Sequence, residues 1–176
     1  RAIGEMSVGF FKQTIRDLPV DGETVLVRVD YNVPLNDKGE ISDDLRIRAS
    51  LPTLQYLLGQ GRKLVLISHL GRPESRDKKL SLEPIAQRLS ELLEQKVKFI
   101  DDCIGEKVHQ GVRTAPKNSV ILLENLRYYD EEEADDHDFA KNIAKHSQAK
   151  YFVQDGFGVV HRAHASTHAI TLFLPR

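Results

Sequence analysis

Arginine recurs beside glycine, histidine or asparagine in four short stretches of this sequence. They are Arg28-Val29-Asp30-Tyr31-Asn32, His69-Leu70-Gly71-Arg72, Glu124-Asn125-Leu126-Arg127, and Asp155-Gly156-Phe157-Gly158 followed by His161-Arg162-Ala163-His164. The chemistry such groups offer is anion recognition, because a guanidinium presents a rigid fork of donors that matches phosphate or carboxylate oxygens in pairs. Gly71, Gly156 and Gly158 would let backbone N–H groups come close to the same ligand. Taken singly, each stretch has a plainer reading. His-Leu-Gly-Arg-Pro is a turn with a solvated arginine, Asp-Tyr-Asn a side-chain-capped turn, and Arg127 a partner for the acidic run after it. Arg28 reads as a structural ion-pair partner and Phe157 as core, while His164 and His168 read as surface or core histidines. Taken jointly, Arg72, Arg127 and Arg162 favour one site.

That joint reading depends on which elements carry the stretches. Residues 24–29 (TVLVRV), 63–68 (KLVLIS), 97–100, 119–123 (SVILL) and 150–153 (KYFV) are β-rich or apolar runs. Between them lie helical patterns. The first is capped by Asp43 or Asp44, carries Leu45, Ala49, Leu54, Leu57 and Leu58 at helical spacing, and stops at Gly59 and Gly61. A second follows Ser81, with Pro84 in its first turn; others span about 103–112 and 139–146. The acidic stretch 130–138 reads as a solvated loop and helix start. Strand and helix alternate, so the expected fold is α/β: a Rossmann-like three-layer αβα sandwich with a mainly parallel sheet. In open sheets of this kind ligands bind beyond the carboxyl ends of the strands, which is where the four stretches stand.

Composition limits the partners. The chain has 176 residues, 40% hydrophobic and 29% charged, with a formal net charge of −1. Nucleic-acid binding usually needs a marked basic excess, so any anion site here is local. No apolar run approaches the roughly 20 residues of a membrane span. The single cysteine, Cys103, excludes an internal disulfide and points to a reducing, cytoplasmic setting. There is no P-loop, no GxGxxG after the first strand, no HExxH and no GxSxG. His161, His164 and His168 are spaced for one helix face, but no carboxylate accompanies them and Arg162 would repel a cation, so no metal is expected.

Longer motifs then carry a resemblance. VRVDYNVP, SHLGRP, DDCIG, LLENLR and DGFGVVHRAHAS resemble, in order and over about residues 24–171, the motifs of phosphoglycerate kinases. The resemblance implies reversible phosphoryl transfer between 1,3-bisphosphoglycerate and ADP, giving 3-phosphoglycerate and Mg-ATP. It implies that this chain is the amino-terminal, acid-binding half. His69, Arg72, Arg127 and Arg162 would grip the phosphate that is not transferred, and Asp30 and Asn32 would bond the glycerate hydroxyl and its neighbouring oxygens. Arg46 would face the reacting carboxyl as the catalytic charge. The expected organisation is a tag remnant at residues 1–6, disordered, and a single domain over 7–176, with the nucleotide-binding domain absent. The fragment is accordingly expected to bind 3-phosphoglycerate or 1,3-bisphosphoglycerate without turnover, to bind no Mg-ATP or Mg-ADP, and to be a monomer.

Three places depart from the family pattern. Tyr31 stands for phenylalanine and its hydroxyl needs a partner; Gly156 stands for alanine; Ser166-Thr167-His168-Ala169-Ile170 replaces STVGI. Two other classes compete with the kinase reading. One is a binding module for a different organic phosphate, separable by ligand preference. The other is a dinucleotide-binding oxidoreductase domain, which lacks its glycine fingerprint here.

Overall fold

Every residue of Val25–Val29 (β1) is buried, which requires cover on both faces of the sheet. Alternate side chains divide between two cores: Val25, Val27 and Val29 join one, and Leu26 the other. The same split runs through Leu64–Ile67 (β2) and Val120–Leu123 (β4). An uninterrupted apolar run is thus two period-2 faces, each with its own helices. In a computed structural model, which describes residues 14–155 and 162–175, β1, β2, Val97–Ile100 (β3), β4 and Tyr151–Asp155 (β5) form one sheet. Its order is β3-β4-β2-β1-β5 and every pairing is parallel. The expected α/β class and three-layer build hold, with a sheet that is parallel throughout.

Leu45–Leu58 (α1) and Glu83–Leu93 (α2) cover one face. Glu106–Thr114 (α3) and His137–Ser147 (α5) cover the other, with the short Asp130–Glu133 (α4) at its edge. No helix among the described residues is long and apolar enough to cross a membrane.

Four local expectations change. In α1 the buried stripe is Ile47, Ser50, Leu54 and Leu57, while Leu45 is 68% exposed. At about 100° per residue Leu45 lies far round the helix from Ile47. Asp44 occupies the N-cap of α1 without capping it; its carboxylate accepts from Arg48 and Arg88, and Asp43 accepts from the Leu45 N–H instead. The acidic stretch is not wholly solvated either. It forms α4, and within it Glu132 is buried. Cys103 precedes α3 rather than beginning it, buried with its Sγ donating to the Glu124 carbonyl. Gly156, Phe157, Gly158 and His161 lie outside the described residues, as does the whole of the expected tag remnant.

Candidate functional site

Three strand ends are tied together before any ligand group is presented. Ser68, following β2, accepts from the Tyr31 N–H through its Oγ and from the Leu126 N–H through its carbonyl, each at 3.0 Å. Asn125, fully buried after β4, accepts from the N–H groups of Leu70 and Arg127 and donates to the carbonyls of Leu70 and Leu80. Glu124 beside it accepts from Ser81, Leu82 N–H and its neighbour's N–H. A buried amide with both of its polar atoms used is a rigid joint; this one locks the segment after β2 to the segment after β4. Tyr31 is fully buried and finds the partner its hydroxyl needs, donating to Ser50 Oγ at 2.7 Å while Ser50 donates onward to Ile47 O. Burial raises its pKa, so it stays a phenol.

Upon this frame Asp30, Asn32, Arg46, His69, Gly71, Arg72, Arg127 and Arg162 line one cavity of about 270 Å³. Every site residue expected from the sequence is among them. The cavity lies at the carboxyl ends of β1, β2 and β4, and Arg162 reaches it from beyond β5. Asn32 Oδ1 accepts from the Gly71 N–H at 2.9 Å, and Arg127 Nη1 donates to Gly71 O at 3.0 Å. Gly71 therefore joins two cavity-lining residues through its own backbone. Its φ of 62° is left-handed, and a Cβ there would meet the Leu80 methyl carbons at 3.1 and 3.2 Å, so any side chain here is strained and glycine is favoured. Arg46 Nη1 donates to Asn32 O at 2.8 Å and Asp30 Oδ1 at 3.2 Å; the rest of its guanidinium has no partner among the described residues. The guanidinium groups of Arg72 and Arg162 have no hydrogen-bond or ion-pair partner among the described residues. Arg127 is buried, and its Nε faces Glu133 Oε1 at 3.3 Å.

Four guanidinium groups thus share the cavity wall with one carboxylate, that of Asp30. Burial, then Arg162 and Arg72, pull the Arg127 pKa down against the opposing pull of Glu133. The two neighbouring cations thus add to the cost that burial imposes on this charge, and an anion in the cavity would offset it. His69 is buried, and burial followed by Arg28 and Arg127 lowers its pKa to about 2. The ring is therefore neutral and acts as a hydrogen-bond group rather than as a charge.

Arg28 departs from expectation. It is almost fully buried and makes no salt bridge among the described residues; its nitrogens go to Ser166 Oγ, Val29 O and His69 Nδ1. His168 pairs with Asp135 at 2.6 Å, and neither it nor His164 lines the cavity. Sequence reasoning passed over Asn125, Ser166 and Glu132 as working residues. Asn125 sits inside a quoted motif, so a signal existed. Nothing local distinguishes Glu132 from its acidic neighbours.

Fold and site together define a class: an α/β protein whose parallel sheet carries an arginine-lined cleft at its carboxyl edge. Comparison with known proteins narrows this. The chain belongs to the phosphoglycerate kinase family, whose model matches residues 15–176. It is 51% identical over 163 residues to the phosphoglycerate kinase of Aquifex aeolicus, covering 93% of this chain and 41% of that protein. Against the Dictyoglomus turgidum enzyme the identity is 52% over 161 residues, covering 92% and 40%. Among solved structures, phosphoglycerate kinase from Pyrococcus horikoshii superimposes with a TM-score of 0.83 at 34% identity, covering 92% of this chain and 40% of that one. The Coxiella burnetii enzyme gives 0.79 at 34%, covering 91% and 39%. The chain thus spans about two-fifths of the length of the relatives it matches.

Proposed function

We propose that this stretch of a phosphoglycerate kinase holds the three-carbon acid, 3-phosphoglycerate or 1,3-bisphosphoglycerate, for phosphoryl exchange with Mg-ADP or Mg-ATP. The observation that carries the reading is the excess of guanidinium over carboxylate in a cavity sized for a small molecule. Arg72, Arg127 and Arg162 take the phosphate that stays on the substrate, and neutral His69 adds a hydrogen bond without a charge to lose. Asp30 and the Asn32 amide face the hydroxyl and nearby oxygens. Arg46, held by Asp30 and Asn32 O on one nitrogen, turns the remainder toward the reacting carboxyl, where charge on the moving phosphoryl group needs a cation. Phosphoryl transfer asks for positioning and charge stabilisation more than for a protein nucleophile.

We assign the nucleotide and its magnesium to the portion of the relatives that this stretch does not match. The 176-residue chain then binds the acid as a cytoplasmic monomer and does not turn over by itself. Calorimetric titration with 3-phosphoglycerate, beside inorganic phosphate and an Arg72→Ala variant, tests this. Saturable binding is expected, tighter for 3-phosphoglycerate than for phosphate. The variant should lose roughly 10- to 100-fold in affinity, as for a charged hydrogen-bonding partner worth about 1.5–3 kcal/mol. Equal affinity for both ligands, or no dependence on Arg72, would overturn the assignment in favour of a general anion module. ATP formation from 1,3-bisphosphoglycerate by this chain alone would refute the absence of turnover.

A further inference from the structure

Behind His69 stands a buried polar chain, Glu132, Ser166 and Arg28, that belongs to none of the roles above. Glu132 Oε1 accepts from Ser166 N at 2.9 Å and from Ser166 Oγ at 2.8 Å. Ser166 has a single hydroxyl proton, and a carboxylate can only accept it. Its Oγ is therefore left to accept, and Arg28 Nε donates to it at 3.0 Å. Arg28 Nη2 lies 2.7 Å from His69 Nδ1. A guanidinium has donors only, so the direction of this last bond is also determined: Nδ1 accepts and carries no proton. The ring's one proton is then on Nε2. That nitrogen has no partner among the described residues, and the ring lines the cavity while Arg28 does not.

Resting on the anion-site reading, we propose that Arg28, steadied by Ser166 and Glu132, is a positioning residue that locks His69 as the neutral Nε2–H tautomer, aimed as a donor into the cleft. Charge geometry enforces the neutrality. An imidazolium would set an N–H at Nδ1 against the Arg28 N–H, two donors at hydrogen-bond distance with no acceptor between them. The groups around the ring, Arg28 from β1, Arg127 after β4, and Arg162 and His164 beyond β5, all oppose a proton on it. Arg28 itself stays a cation at neutral pH: burial lowers its pKa only to about 10, with Glu132 acting in the opposite direction. The arrangement gives the cleft a donor of constant strength where a free histidine would change charge near neutral pH.

The test is long-range nitrogen–proton NMR on the chain labelled at histidine, with His69 assigned by its loss in His69→Gln. In the ligand-free protein His69 should show an unprotonated Nδ1 and a protonated Nε2, unchanged from pH 5 to 8. A protonated Nδ1, or a charged ring at pH 6, would overturn the proposal without any variant of Arg28. In Arg28→Met the ring should show both tautomers and begin to titrate. A single Nε2–H tautomer that still does not titrate would remove Arg28 as its cause. Addition of 3-phosphoglycerate to the parent protein should shift the Nε2 proton. No shift beside an intact tautomer pattern would count against the anion-site reading and leave the lock in place.

Discussion

Gly71→Ala separates backbone strain from ligand recognition at the centre of the cleft. The added methyl forces an L side chain to hold a φ of 62°, a left-handed conformation that costs about 1–2 kcal/mol. It also presses on the Leu80 methyl carbons at 3.1 and 3.2 Å. Leu80 is half-buried and these atoms end a flexible side chain, so relief comes from a rotamer adjustment of about 0.5–1 kcal/mol. A total near 2 kcal/mol follows from these two costs, corresponding to a fall in Tm of about 4–8 °C for a chain of this size. Function should suffer for a different reason. The Gly71 N–H and C=O hold Asn32 and Arg127, so any relaxation toward negative φ releases both and moves Arg72. The loss of two hydrogen bonds worth about 1 kcal/mol each would weaken 3-phosphoglycerate binding at least about tenfold. Gly39→Ala is the control, because Gly39 has a φ of 77° with nothing within 4 Å of the new atom and stands outside the cleft. It should lose stability without losing affinity. Thermal unfolding and calorimetric titration of both variants read the two effects separately. The reasoning is refuted if Gly71→Ala keeps its Tm, or if both variants lose affinity equally.

Three further outcomes concern residues away from Gly71. Arg62 is fully buried, donates to the Pro19 and Glu23 carbonyls, Asp21 and Gln60, and sits 5.6 Å from the Tyr151 ring centroid. Arg62→Met strands those acceptors and should cost about 3–5 kcal/mol in urea unfolding, an effect unrelated to the cleft. Burial raises the Asp155 pKa from 3.8 to about 6, so the folded protein binds that proton more tightly than the unfolded chain. Its contribution is complete below the unfolded value and lost as pH rises through about 6. The stability of Asp155→Asn relative to the parent should therefore improve across that window, and a flat difference would refute it. Cys103 is buried with its pKa raised well above the usual range by burial and nearby carboxylates; a thiol reagent should modify it slowly in the folded protein and promptly in denaturant.

Much of this protein could be read from its sequence, and the reason is local. Continuous apolar runs such as LVLI need cover on both sides, and the alternation of such runs with helical patterns leaves few topologies besides a parallel αβα sandwich. The residues lining the cavity were legible because such sheets bind at strand ends, and glycine, asparagine and arginine stood at those ends; Arg46 came only from the family resemblance. Other features depended on contacts far apart in the chain. The stripe of α1 was settled by which side chains met the sheet, so Ile47 went in and Leu45 stayed out. Glu132 looked like one carboxylate among many, and became a buried acceptor only because Ser166, 34 residues later, folded against it. Arg28 lies 41 residues from His69 and 138 from Ser166. Fold class and the residue types facing the cleft follow from the amino-acid order alone, since periodicity and strand-end chemistry are short-range properties. Which nitrogen of His69 carries its proton was decided by tertiary structure alone, because that depends on what touches the ring's other side.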